Sequence, residues 1–312
     1  MGTEVVAAID CGTNSTRLIV VDAAGTVLER RMVITRLGEG VDATRRLAPA
    51  AIDRTLDALA GFRAVMDRHG VRRGRLAATS AARDAVNAGS FLSGAEQATG
   101  ITPEILSGSE EGRLSFLGAT RSLPPGLAGE LGVLVVDIGG GSTELALGRP
   151  DRPDEASAVS VEVGCVRVTE RFLAHDPPLA DELDAARRAV SGAAADAAEA
   201  LGVSNPPGAL IGLAGTVSTL AMLDGDLDTY SRRSVHHRRI SAAAVRRWCA
   251  TLAAESATQR RRRPAVEPGR ADVIVGGVLV LDVVMERFST PWCLASEDDI
   301  LDGLAASVLA RP

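Results

Sequence analysis

The sequence predicts an α/β protein built as two similar lobes that face each other across a cleft, and three observations carry this. The chain has 312 residues, a length whose soft prior is two domains. Strand-like and helix-like stretches alternate through both halves. Most specifically, one short segment occurs twice: VVAAIDCGTNSTRLIVV near the N-terminus and LGVLVVDIGGGSTELAL from Leu131 to Leu147. Asp10, Gly12, Ser15, Thr16 and Leu18 recur as Asp137, Gly139, Ser142, Thr143 and Leu145 at the same internal spacing. A repeat at this separation marks two like lobes and not the stacked unit of a solenoid. Leu123-Pro124-Pro125-Gly126 breaks the chain just before the second copy, so residues 1–123 form the first lobe and 124–312 the second.

Taken in order, each copy reads as strand, tight polar turn, strand. Val27 to Arg36 adds a third strand to the first meander. Pro49 opens a helix through Arg68, with Ile52, Leu56, Leu59 and Val65 near helical spacing and Gly70 as its stop. A strand over Leu76–Thr79 leads into a polar loop carrying Arg83, where α/β sheets place ligand contacts; a structural salt bridge is the alternative for that arginine. Phe91 to Thr99 reads as a helix and Ile101 to Leu106 as a strand. Ser109 then caps a helix and puts Glu110 and Glu111 in its first turn, where the helix dipole favours acids.

In the second lobe a strand over Ala158–Val163 precedes a helix bearing Thr169 and Glu170. An Ala-rich helix follows Pro177-Pro178 and ends near Leu201. The strand Ala209–Leu213 enters Ala214-Gly215-Thr216, read as a strand, a glycine loop and a helix N-terminus, an anion site by virtue of free N–H groups. His236 and His237 read as loop or surface residues. A helix over Ser241–Ser256 leads to Arg260-Arg261-Arg262-Arg263, read as a solvated mobile face that could also guide a polyanion. Gly269 to Asp272 caps an apolar helix through Arg287, Trp292–Leu294 is a strand, and a last helix covers Asp299–Ala310, which the fold allows to pack back on the first lobe.

Composition sets the class. With 46% hydrophobic and 24% charged residues the chain reads as an ordinary soluble globular protein. Its apolar runs are too short to span a membrane and no signal peptide is apparent, so a cytoplasmic location is expected. The four cysteines are scattered without a CxxC pair, which suggests neither zinc nor a disulfide framework. A net charge of −6 argues against nucleic-acid binding. All 34 basic residues are arginine, which removes mechanisms that need a catalytic lysine.

The chemistry is concentrated in the hairpins. Glycines 139 to 141 are expected to take positive φ and let a backbone concavity approach a phosphate. Asp137 and Glu144 flank that turn, and two acids beside a polyanion repel it unless a cation intervenes; such oxygen ligands suit Mg²⁺.

Asp-x-Gly-Thr-Asn-Ser at 10–15, Ser-Gly-x-Glu-Glu at 107–111 and Asp-Ile-Gly-Gly-Gly-Ser-Thr-Glu at 137–144 together resemble the exopolyphosphatase and guanosine pentaphosphate phosphohydrolase (Ppx/GppA) family, in its short two-domain form. Gly215-Thr216 and Arg270-Ala271-Asp272 fit the same pattern. The resemblance implies two actin-like, ribonuclease H-like lobes of the actin, sugar kinase and Hsp70 superfamily. It implies that Glu111 is the catalytic base that activates water and that Asp10, Asp137 and Glu144 organise Mg²⁺. Thr13, Asn14, Ser15, Arg83 and the Gly139, Gly140, Gly141, Ser142 backbone would hold phosphates, with Gly215 and Thr216 as the third anion site. The implied substrate is inorganic polyphosphate, with guanosine pentaphosphate as the alternative; a homodimer is one assembly it allows. A sugar-kinase-like phosphotransferase and a non-catalytic sensor are the remaining classes. One departure is visible: where the family's last helix often begins Arg-Glu-Gly, this chain reads Leu301-Asp302-Gly303, so a basic contact near the lobe junction is expected to be missing.

Overall fold

The computed structural model describes residues 4–124, 126–127 and 131–310; Pro125 of the inter-lobe break lies outside them. The chain opens with an antiparallel meander, β1 (Val5–Cys11), β2 (Ser15–Asp22) and β3 (Val27–Ile34), followed by α1 (Val41–Thr44) and α2 (Pro49–Arg68). Next come β4 (Arg73–Ala78), α3 (Ser80–Asp84), α4 (Ala88–Thr99), β5 (Pro103–Ile105) and α5 (Gly108–Thr120). The second half repeats the order with β6 (Val133–Ile138), β7 (Thr143–Arg149), β8 (Arg152–Val161), α6 (Cys165–Phe172), α7 (Ala180–Ala200), β9 (Ala209–Leu213) and α8 (Ala214–Asp224). It continues through α9 (Arg232–Val235), β10 (Arg239–Ser241), α10 (Ala242–Ala253), α11 (Ala257–Arg260), α12 (Ile274–Arg287), β11 (Trp292–Ala295) and α13 (Ile300–Ala310).

The sheets explain why the two halves read alike. The first runs β3-β2-β1-β4-β5 and the second β10-β11-β9-β6-β7-β8. In both, an antiparallel meander continues into parallel strands, because β1 pairs with β4, and β6 with β9, through helical crossovers. β6 and β9 are fully buried and, apart from Asp137, carry only apolar residues or glycine, as strands covered on both faces do.

Two helices cross between the lobes. Phe116 and Ala119 of α5 pack on Val133, Val135 and Ile211 of the second sheet. Leu301, Leu304 and Val308 of α13 pack on Val6, Ala8 and Ile19 of the first. The two helices meet at glycines: a side chain on Gly118 would strike the Asp299 carbonyl, and one on Gly303 the Leu114 carbonyl. The junction has a basic contact after all, supplied by another strand, since Arg30 of β3 bonds Asp302 at 2.5 Å.

Three readings need correction. The α5 cap is Ser107, whose hydroxyl accepts the Glu110 amide at 3.3 Å, and not Ser109; Glu110 and Glu111 still fall in the first turn. Arg260, taken as part of a solvated run, is 2% exposed at the end of α11, because backbone carbonyls and Asp176 satisfy its guanidinium. His236 and His237 do lie in a loop, but they are part-buried and ring-stacked at 3.7 Å. His236 Nδ1 accepts the Glu297 amide at 3.0 Å.

Candidate active site

Both hairpins aim their turns at one cleft. In the first, the Gly12 amide donates to the Ser15 carbonyl at 3.0 Å; in the second, Gly139 donates to Ser142, also at 3.0 Å. These bonds hold Thr13 and Asn14, and likewise Gly140 and Gly141, at the loop tips. No bond within the described protein uses the Gly140 or Gly141 amide, so both remain for a ligand.

The three glycines are there for a reason other than the one expected. None of Gly139, Gly140 and Gly141 adopts positive φ. Instead the opposite lobe comes too close for a side chain. A Cβ on Gly140 would lie 2.7 Å from Thr13 Cβ, and one on Gly141 would lie 2.5 Å from Ser80 Oγ. Backbone strain sits nearby, at Ala214, whose φ is 67° where α8 begins. Gly215 follows it, and the Arg270 guanidinium occupies the space a side chain there would need.

The cleft is an open groove lined by polar groups from both lobes. The first hairpin lines it with Asp10 and Thr13 to Ser15, and the second with Asp137, Gly139 to Ser142 and Glu144. Glu111 enters from α5, and Gly215 and Thr216 from α8. Arg83 stands behind Glu111, pairing with its Oε1 and donating to the Leu106 carbonyl at 2.9 Å, which orients the acid.

Sequence reasoning missed Arg17, Ser80, Ser115, Ser160 and Asp299, and passed over Arg270 as a contact. Arg17 was within reach, because the hairpin register sets it directly opposite Asp10. Arg17 Nη2 bonds Asp10 Oδ2 at 2.6 Å while Nη1 holds Asp299, a residue 282 positions away that no local pattern connects.

Burial dominates the electrostatics. Asp10, Glu111, Asp137 and Glu144 are exposed by 3%, 5%, 7% and 4%. Desolvation and then the nearby Asp299 raise Asp137 to about 6. Burial raises Glu144 and Glu111 too, reinforced in Glu144 by Asp137 and in Glu111 by Glu144. Asp10 is raised by burial, against Arg17.

Each of these acids has one oxygen engaged: Asp137 Oδ2 accepts from Ser115 Oγ at 2.7 Å, and Glu144 Oε1 from Ser160 Oγ at 2.7 Å. Asp10 Oδ1 is buried and has no hydrogen-bond partner among the described residues. Crowded, under-neutralised carboxylates with an orphaned oxygen are a donor set for a hard cation. Among the described residues, however, no three acidic, His or Cys side chains converge as a closed cage.

The chain is similar to known proteins over nearly its whole length. The Ppx/GppA phosphatase family model matches residues 15–310. Exopolyphosphatase 2 of Mycobacterium tuberculosis is 40% identical, covering 97% of this chain and 98% of that protein. A Guanosine-5'-triphosphate,3'-diphosphate pyrophosphatase of Photobacterium profundum is 35% identical over 183 residues, 58% of this chain and 36% of its own. The crystal structure of the Aquifex aeolicus Ppx/GppA family member superposes with a TM-score of 0.81 at 30% identity, covering 99% of this chain and 98% of that one.

Proposed function

Because the chain belongs to the Ppx/GppA phosphatase family and is thus a phosphatase, we propose that it hydrolyses the terminal phosphate of inorganic polyphosphate in the cleft between its lobes, in the cytoplasm. The observation that carries this reading is the pairing of two phosphate-sized loops with a buried, arginine-oriented Glu111 between them.

Phosphoryl transfer to water needs in-line positioning, charge neutralisation and an oriented nucleophile more than covalent chemistry. The free amides of Gly140 and Gly141, with Thr13, Asn14, Ser15, Gly215, Thr216 and Arg270, hold the phosphate chain. Asp137 and Glu144, with the free oxygen of Asp10, would hold Mg²⁺. That ion, when bound, neutralises both the acid cluster and the phosphate oxygens. Glu111 takes the proton from the attacking water; burial and then the neighbouring Glu144 raise it to about 9, so it would be ionised near neutrality only when a bound cation offsets that crowding. Arg83 keeps the carboxylate aimed.

Steady-state phosphate release with and without Mg²⁺ tests the proposal. Glu111→Gln should lower kcat by about 10²–10⁴-fold with KM nearly kept. Near wild-type turnover in that variant would remove Glu111 as the base.

A second reading is supported by a wider groove that opens off the cleft and shares Arg17, Met32 and Arg270 with it. Its walls include Met222, Tyr230 and Pro264, apolar enough to take the base of guanosine pentaphosphate. Competition between the two substrates in one assay separates the readings by their kcat/KM.

A further inference from the structure

The first arginine of the 260–263 run behaves unlike the rest. Arg260 is among the largest fully buried side chains of the protein, and an arginine tolerates burial only if its donors are satisfied. Three chain segments satisfy them. Nε donates to the Glu255 carbonyl at 3.1 Å, Nη2 to Asp176 Oδ1 and Nη1 to the Ala271 carbonyl. Asp176 is itself fixed by the Ala257 amide, at 2.7 Å to its Oδ2.

The Ala271 contact is the informative one. Ala271 is wholly buried and directly follows the 3-10 turn Pro268–Arg270 that presents Arg270 to the cleft. Among the described residues Arg270 has only weak partners, Met32 Sδ at 3.4 Å and Glu267 Oε2 at 3.5 Å, so its charge stays available while its direction depends on the turn. From the other lobe, Arg36 holds the same turn through Asp272 at 3.0 Å and the Gly269 carbonyl at 3.2 Å. Arg260 is the anchor from its own lobe, and it does not itself line the cleft.

We infer that Arg260 is a positioning residue for phosphate binding, which fixes the Ala271 carbonyl and through it the aim of Arg270. The inference rests on the reading of the cleft as a phosphate site, with Arg270 as one of its cations. A lysine in place of Arg260 keeps the charge but cannot serve three divergent acceptors with one ammonium. Loss of the fork leaves the Ala271 carbonyl buried and unpaired, which favours movement of the turn.

The test is a double-mutant cycle read as KM and kcat on polyphosphate of defined length, with thermal unfolding of each variant alongside. Arg260→Ala should raise KM by about tenfold and change kcat by less than about twofold, and Arg260→Lys should raise KM by about threefold or more. In an Arg270→Ala background the Arg260 substitutions should add less than about twofold, because the residue they act through is gone. Should Arg260→Ala not fold, Arg260→Lys and Asp176→Asn complete the cycle. A lowered unfolding temperature with unchanged KM in Arg260→Lys, or effects that multiply in the double variant, would overturn the inference. An Arg270→Ala enzyme with wild-type KM would instead overturn the phosphate-site reading beneath it.

Discussion

The two hairpins share a backbone and differ in charge. Each closes its turn with the same 3.0 Å bond, and each sets one residue directly opposite its aspartate. Opposite Asp10 stands Arg17; opposite Asp137 stands Glu144. The first hairpin therefore neutralises its own acid and leaves a single orphaned oxygen, Asp10 Oδ1. The second places two buried acids side by side with hydroxyl partners, an arrangement that an external cation would complete. A duplicated fold thus gives one acid with its own cationic partner and one acid pair without, the side proposed above to recruit Mg²⁺. The tips differ in the same sense: Thr13 and Ser80 of the first lobe fill the space left by Gly140 and Gly141 of the second.

Breaking the acid pair should have the largest effect on Mg²⁺ dependence. Asp137→Asn or Glu144→Gln is expected to raise the Mg²⁺ concentration for half-maximal phosphate release by about 10–100-fold, and Asp10→Asn by less, because Arg17 already shares that carboxylate. Equal shifts in all three would erase the distinction between the hairpins.

Filling the glycine side comes next. Gly140→Ala adds a methyl where Thr13 already stands, so the lobes must separate by a fraction of an ångström. The account expects kcat/KM to fall by about 10²-fold, the cost of misplacing reacting groups by about 1 Å, with fold stability little changed. Gly12→Ala meets the Ser15 carbonyl at 3.1 Å and Asp10 Oδ2 at an ordinary 4.0 Å, both on its own hairpin, and should act on local stability before it acts on turnover.

The pH dependence follows from the same crowding. Asp137 has its proton affinity raised from 3.8 to about 6, so the folded state binds that proton more tightly than the unfolded state. Its contribution to stability is fully present below about pH 4 and is lost as pH rises through about 6. Divalent-free protein should lose on the order of 1–3 kcal/mol from this source across that window, as followed by denaturant unfolding at stepped pH. Asp137→Asn should flatten the slope, and an unchanged slope in that variant would place the crowding elsewhere.

The smallest expected effect is at Ala214, whose φ of 67° is strained for a residue with a side chain. Ala214→Gly should stabilise the fold by about 1 kcal/mol in thermal unfolding, with turnover changed less than about twofold.

Much of this was legible in the sequence because it is local. The duplicated Asp-x-Gly spacing marked both hairpins, and Pro49 and Gly70 bounded α2. Ala209–Leu213 is a strand as read, but α8 starts directly at Ala214 with Gly215 in its first turn and no glycine loop between. What sequence could not give is long-range: Asp299 reaching Arg17, Arg30 reaching Asp302, and Arg260 turning inward to hold Ala271. The triple glycine shows the limit most clearly. Its composition reads as freedom for positive φ and for close approach to a ligand; none of the three takes positive φ, and the crowding comes from a partner lobe whose approach no window along the chain contains.

The central claim is that the second hairpin, and not the first, recruits the cation. Its most direct test is Mg²⁺ binding by calorimetry, in the presence of a non-hydrolysed phosphate chain, to wild type, Glu144→Gln and Arg17→Gln. The account predicts that Glu144→Gln loses measurable Mg²⁺ binding while Arg17→Gln, which frees Asp10, keeps or strengthens it. Mg²⁺ binding retained in Glu144→Gln and lost in Arg17→Gln would contradict it.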